Sequence, residues 1–173
     1  LTWLLAQDAA TQQRYIDLGL DTQKSQVVGN IKFDIDAPIS FIEQAQQLKQ
    51  QWNLSNRQII TLASTHAPEE ENLLKQLQPH LNANPQLLCI VVPRHPERFD
   101  EVYKLCQNLN LNTQRRSLKQ AIQTDTQVFL ADSMGEMWLW YALSQACFVG
   151  GSLNEPGGGH NILEPMVLDV PTV

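Results

Sequence analysis

Four short, almost continuously apolar runs punctuate the chain: "QIITLAS" at 58–64, "LLCIVVP" at 87–93, "QVFLA" at 127–131 and "ACFVG" at 146–150. Each is too short for a buried helix and lacks the alternation of a strand with one wet face. Between them lie segments of helical periodicity: "PEEENLLKQLQPHL" at 68–81, "PERFDEVYKLCQNL" at 96–109 and "EMWLWYALSQ" at 136–145. A further helical pattern, "FIEQAQQLKQQW" at 41–52, precedes the first run and places Phe41, Ile42, Ala45, Leu48 and Trp52 on one side. Strands that are apolar on both faces and joined by helices imply a parallel sheet covered on both sides, a doubly wound α/β domain. "NTQRRS" at 112–117 reads as a weaker strand, and "NILEPMVL" at 161–168 as a short helix.

The remaining chain sets the boundaries. "LTWLLAQDAATQQRYIDLGL" at 1–20 reads as a short strand and a helix with Ala10, Tyr15 and Leu18 on one face and Gly19 at its stop. Residues 1–30 are expected to be the remnant of a preceding domain, 31–38 a linker ended by Asp36, Ala37 and Pro38, and 39–173 the main domain, cut within a strand that begins at "VPTV". The 173 residues allow one full domain. No apolar run approaches the length of a membrane span and no secretory signal opens the chain, so the expectation is a soluble piece. A net charge of −6 argues against binding to nucleic-acid backbones. Cys89, Cys106 and Cys147 are scattered, with no zinc spacing, and are expected to be reduced core residues of a cytoplasmic protein.

In doubly wound sheets ligands bind beyond the carboxyl ends of the strands, where helices present free N–H groups. The segments in that position are "THAPEE", "RHPERF", "DSMGE" and "GSLNEPGGGHN". Arg94, held between Pro93 and Pro96, is a candidate fork for a phosphate; the alternative is a surface arginine paired with Glu97 or Asp100. Ser133 and Glu136 have capping-box spacing, which puts Met134 and Gly135 in a first turn able to receive a base or ribose. Asn161 and Glu164 repeat the ambiguity: an N-cap with an acid at the third helical position, or a carboxylate for ribose hydroxyls. Glu69 and Glu70 fit a complement to the helix dipole better than an acid–base pair. His66 and His160 lie on the same rim, without a partner at metal-ligand spacing. The glycines at 157–159 form neither a dinucleotide fingerprint nor a Walker loop. They suit one phosphate resting on the N-terminus of the Asn161 helix.

In order along the chain, "GNIKFD", "STHAPEE", "VPRHPERF", "DSMGEM" and "FVGGSLNEPGGGHNILEP" closely resemble the motifs of 3-deoxy-D-manno-octulosonic acid (Kdo) transferases of lipopolysaccharide synthesis. The resemblance runs the length of the chain. It implies a GT-B glycosyltransferase of two Rossmann-like domains, with this chain as the C-terminal, donor-binding half and the tail of the first. The implied donor is CMP-Kdo, the acceptor a lipid A precursor, and no cofactor or metal is implied. The CMP site would comprise Pro93, Arg94, Met134, Gly135, Glu136, Asn161, Ile162, Leu163 and Glu164, with Ser64, His66 and Gly159 as second candidates near Kdo. The general base would belong to the absent N-terminal domain, leaving no catalytic residue here. The same absent domain would bind the cytoplasmic face of the bacterial inner membrane. Rival readings are another sugar-nucleotide enzyme of this fold, such as a UDP-sugar epimerase or transferase, and a nucleotide-sensing binding module.

Overall fold

The structure, a computed structural model, describes residues 1–154 and 157–173; the Glu155-Pro156 pair lies outside it. Contacts divide the chain into two compact units, Leu1–Asp36 and Ala37–Val173.

In the first unit β1 (Leu4–Ala6), α1 (Ala9–Asp17) and β2 (Ser25–Val27) form a small parallel βαβ element, with Leu4 opposite Ser25. Asp8 caps α1 by accepting from the Thr11 N–H at 2.6 Å, and that bond holds its carboxyl below the ordinary value. Gly19 ends the element at φ 96°, a left-handed conformation that suits glycine. The stripe expected on α1 is not buried within this unit: Leu18 is 83% exposed and no α1 residue is fully covered.

The second unit contains α2 (Ile39–Gln51), β3 (Gln58–Thr65), α3 (Glu69–Ala83), β4 (Leu87–Pro93), α4 (Phe99–Asn108), β5 (Thr113–Arg115), β6 (Val128–Leu130), α5 (Met137–Leu143), β7 (Ala146–Val149) and α6 (Leu163–Val167). Its five strands form one sheet in the order β5-β6-β4-β3-β7, every pair parallel. The weak "NTQRRS" strand is real and stands at one edge. At the other edge, Cys147 and Thr172 form a parallel bridge, so the terminal residues line up along β7.

Both faces of the sheet are covered because every central strand is apolar at consecutive positions. Pleating sends Leu88, Ile90 and Val92 of β4 to one side, where they pack with Ile59, Phe129, Leu139 and Trp140 under α2 and α5. Cys89 and Val91 point the other way, onto Leu74 and Leu81 of α3 and Val102 and Cys106 of α4. Fully burying each such side chain contributes about 1.5–3 kcal/mol, and two unbroken layers of them make the sheet a rigid platform. Cys89 and Cys106 belong to the second of these layers, and Cys147 is buried in a smaller cluster with Ala63, Tyr141 and Val149. Burial raises all three thiols, that of Cys106 to about 11, which makes them poor nucleophiles.

The chain leaves β3 for β4 on one side and returns to the other side of β3 as β7. This reversal of strand order opens a crevice at the carboxyl ends of the strands, where the loops after β3, β4, β6 and β7 converge.

Candidate functional site

Ser64 marks the start of the site. The β3–β4 register slips between Ala63 and Thr65, leaving Ser64 as a bulged residue at φ 51°. A bulge at a strand end re-aims the side chain that follows it. Beside it, Pro93 closes β4 and the Arg94 N–H donates to the Thr65 carbonyl at 2.9 Å, tying the two loops together. Ser64, Pro93, Arg94, Ser133, Met134, Gly135 and Glu136 then line one cleft of about 120 Å³. Six expected site residues, drawn from three loops, therefore meet in one place.

The Arg94 alternative does not hold among the described residues. Asp100 is taken by Arg115 at 2.7 Å, and Glu97 lies 3.8 Å from His95. Arg94 itself is exposed and forms no ion pair there.

The capping box after β6 is a correction. Helix α5 starts at Met137, with Glu136 rather than Ser133 at its N-cap position and no side-chain cap. Ser133 does donate to Glu136, but the carboxylate faces sideways to Arg116, whose Nε and Nη2 meet Oε2 and Oε1 at 3.0 and 2.6 Å. Burial alone would raise the Glu136 carboxyl; the Arg116 fork and the Ser133 hydroxyl outweigh it and hold the group below its ordinary range. Glu136 is therefore an ionised acceptor. Gly135, at φ 80°, makes the tight bend between Met134 and this carboxylate, while Met134 stands 63% exposed at the cleft mouth.

The Asn161 helix is also shorter than expected. α6 has five residues with Ile162 at its N-cap position, and the Asn161 side chain accepts from the Leu163 N–H at 3.0 Å two residues on instead of capping the helix. Asn161 to Glu164 do not line the Arg94 cleft. Ile162 instead borders a separate depression with Met166 and Pro171. Glu164 is half-buried, and burial is the one cause that raises its carboxyl above the ordinary value. Gly158 and Gly159 have open space where a side chain would stand, so backbone crowding requires glycine at 157, beside the Asn154 carbonyl, and not at 159.

Three residues acquire roles that sequence reasoning missed. Glu69, fully buried, accepts from the backbone N–H groups of His66, Gly151 and Leu153 at 2.9, 2.8 and 3.1 Å. It fastens the loop after β3 to the loop after β7. Glu70 is buried too and pairs with Arg98 at 2.7 Å; of the three acids in that first turn, Glu71 alone is a solvated group, bonded to Lys75. Asp132 accepts from Arg115 and Ser117 and so fixes the β5 loop against β6.

His66 and His160 come together, their Nε2 atoms 2.7 Å apart, with His95 edge-on to His66 at 5.1 Å. A bond between two imidazole nitrogens needs one donor and one acceptor, so at most one of the pair is charged. Burial, then His66 and Arg94, depress the His160 value, partly opposed by Glu69. The unfolded chain therefore takes up this proton first as the pH falls. The stabilisation is complete above about pH 6.5 and is lost progressively below it. We expect the melting temperature to fall as the pH is lowered through that value, and the fall to flatten in His160→Asn; the same slope in both proteins would contradict the assignment.

Taken together these features define a Rossmann-like α/β domain with a cleft on its carboxyl rim that is lined by both Arg94 and Glu136. No protein-family model matches the chain. Over all 173 residues it is 39% identical to a 3-deoxy-D-manno-octulosonic acid transferase of Haemophilus influenzae, spanning 40% of that protein, and over 165 residues 32% identical to one of Rickettsia felis, spanning 33%. It is also similar to the crystal structure of the C-terminal CMP-Kdo binding domain of WaaA from Acinetobacter baumannii, with 72% identity, a TM-score of 0.77, and coverage of 78% of this chain and 70% of that one. The chain belongs to the 3-deoxy-D-manno-octulosonic acid transferase family. Among the described residues no helix is long and apolar enough to cross a membrane, and no group of three or more potential metal ligands is present.

Proposed function

We propose that this chain carries the donor site of a glycosyltransferase of the GT-B type that moves Kdo from CMP-Kdo to a lipid A precursor. The observation that carries the reading is the cleft joining Ser64, Pro93, Arg94, Met134, Gly135 and Glu136, together with the similarity to a domain named for CMP-Kdo binding. Arg94 offsets the phosphate charge, a role supported by the shortness of α6, whose five residues carry little helix dipole. Met134 and Gly135 line the cytidine. Glu164 accepts from ribose hydroxyls, supported by Asn161, Ile162 and Leu163. Ser64, His66 and Gly159 face the Kdo moiety. In this reading residues 1–30 are the remnant of the first domain and 31–38 the linker; the general base and the membrane-binding region lie elsewhere in the full protein, which works at the cytoplasmic face of the bacterial inner membrane. The chain alone binds donor and transfers nothing.

Calorimetry with CMP tests the site. Because a charge-assisted hydrogen bond is worth about 1.5–3 kcal/mol, Arg94→Ala should weaken CMP binding by roughly ten- to a hundred-fold. Glu164→Gln should weaken it less, and UDP should bind no better than CMP because the site is built for one phosphate. CMP affinity unchanged in both variants would sink the reading.

A further inference from the structure

A second, larger cleft of about 520 Å³ lies against the first, bordered by Trp52, Arg116, Lys119 and Ala121, and Ser133 and Glu136 form part of the lining of both. The wall between them is thus a carboxylate whose orientation is fixed from one side. Arg116 donates to both oxygens, its guanidinium lying over the Trp140 ring at 5.6 Å, and Ser133 adds a third bond. A carboxylate offers about four acceptor positions and no donor. With three filled by the protein, one remains, and the Glu136 side chain keeps 19% of its surface accessible.

A fixed, ionised, acceptor-only group beside Met134 and Gly135 discriminates between pyrimidines. Cytosine presents an exocyclic amino donor at the position where uracil presents a carbonyl acceptor, and Glu or Asp is the natural partner of that amine. A carbonyl in the same place would face the carboxylate with no proton between them. We infer that Glu136 reads the exocyclic amine of the donor's base and that Arg116, which nothing else in the site requires, is the positioning residue that makes this reading selective for cytosine over uracil. The inference rests on the proposed nucleotide site and adds to it the identity of the base-reading pair.

The test titrates CMP and UMP into the 173-residue chain and into two variants. The parent should bind CMP roughly ten- to a hundred-fold more tightly than UMP. In Glu136→Gln the Arg116 fork still pins an oxygen and turns the amide N–H2 outward, a donor that uracil's carbonyl can use. The ratio of CMP to UMP affinity should then fall to within about threefold of unity. Arg116→Met, which leaves Glu136 in place but unoriented, should lower the ratio as well, with its melting curve recorded to confirm folding. A merely structural role for Arg116 would weaken both ligands alike and leave the ratio untouched. Equal affinities in the parent, or a parental ratio retained in Glu136→Gln, overturn the base-reading inference and leave the site standing. Failure of the parent to bind either nucleotide overturns the site itself. Should Arg116→Met not fold, the Glu136→Gln arm decides alone.

Discussion

Glu69→Ala is expected to cost the chain about 3 kcal/mol or more, measured by urea unfolding near pH 7. The side chain is wholly buried and accepts three backbone N–H groups, two from beyond β7 and one from the loop after β3. Each bond to a charged acceptor is worth about 1.5–3 kcal/mol, and a buried donor stripped of its partner loses about 1–3 kcal/mol. Complementing the α3 dipole contributes about 0.3–1 kcal/mol, so hydrogen bonding decides the outcome. Glu69→Gln separates shape from charge. Oε1 receives Gly151 and Leu153 while Oε2 receives His66, and an amide can serve one of these sets but must oppose the other. Its loss should fall between parent and alanine variant. A Glu69→Ala protein within about 1 kcal/mol of the parent would show that the two loops hold their shape without the clamp.

Gly150→Ala should be destabilising by about 3 kcal/mol, at the upper end of what overpacking costs. A methyl group there would stand 2.4 Å from the Ser64 carbonyl oxygen and 2.7 Å from Glu69 Oε2. Neither neighbour can yield: the first is backbone in a bulge, and the second belongs to a carboxylate held by three donors, one of them on Oε2 and two on Oε1. Gly159→Ala is the control. Its methyl group meets nothing within 4 Å, so the change should lie within about 0.5 kcal/mol of zero. Melting temperatures of the pair check both statements, and a Gly150→Ala protein as stable as Gly159→Ala would refute the crowding argument.

The sheet and its site rim could be read from the amino acids because both depend on local pattern. Continuous apolar runs mark strands covered on two faces, and the residues after such strands must lie at one edge. That logic brought Ser64, Arg94 and Glu136 to one cleft in advance. What stayed hidden was pairing across distance. Nothing local in "NTQRRS" says that Arg116 will grip a carboxylate twenty residues on, and nothing in "PEEE" tells which acid will be swallowed by a loop 82 residues away. Helix starts failed for a related reason. Ser133 and Asn161 have the chemistry of caps, but one hydroxyl went to Glu136 and the other side chain to a turn two residues long. Capping residues satisfy whichever donor or acceptor the tertiary fold brings nearest, and short helices at a site rim give them several choices.

The buried thiols have a practical consequence for watching the cleft work. Cys89, Cys106 and Cys147 are all buried with their ionisation suppressed, so none competes for a thiol-directed reagent while the protein is folded. A dye or spin label attached through Met134→Cys, at the exposed lip, would report from that position alone. The native cysteines need not be removed first, and the core keeps the atoms that make its platform stiff.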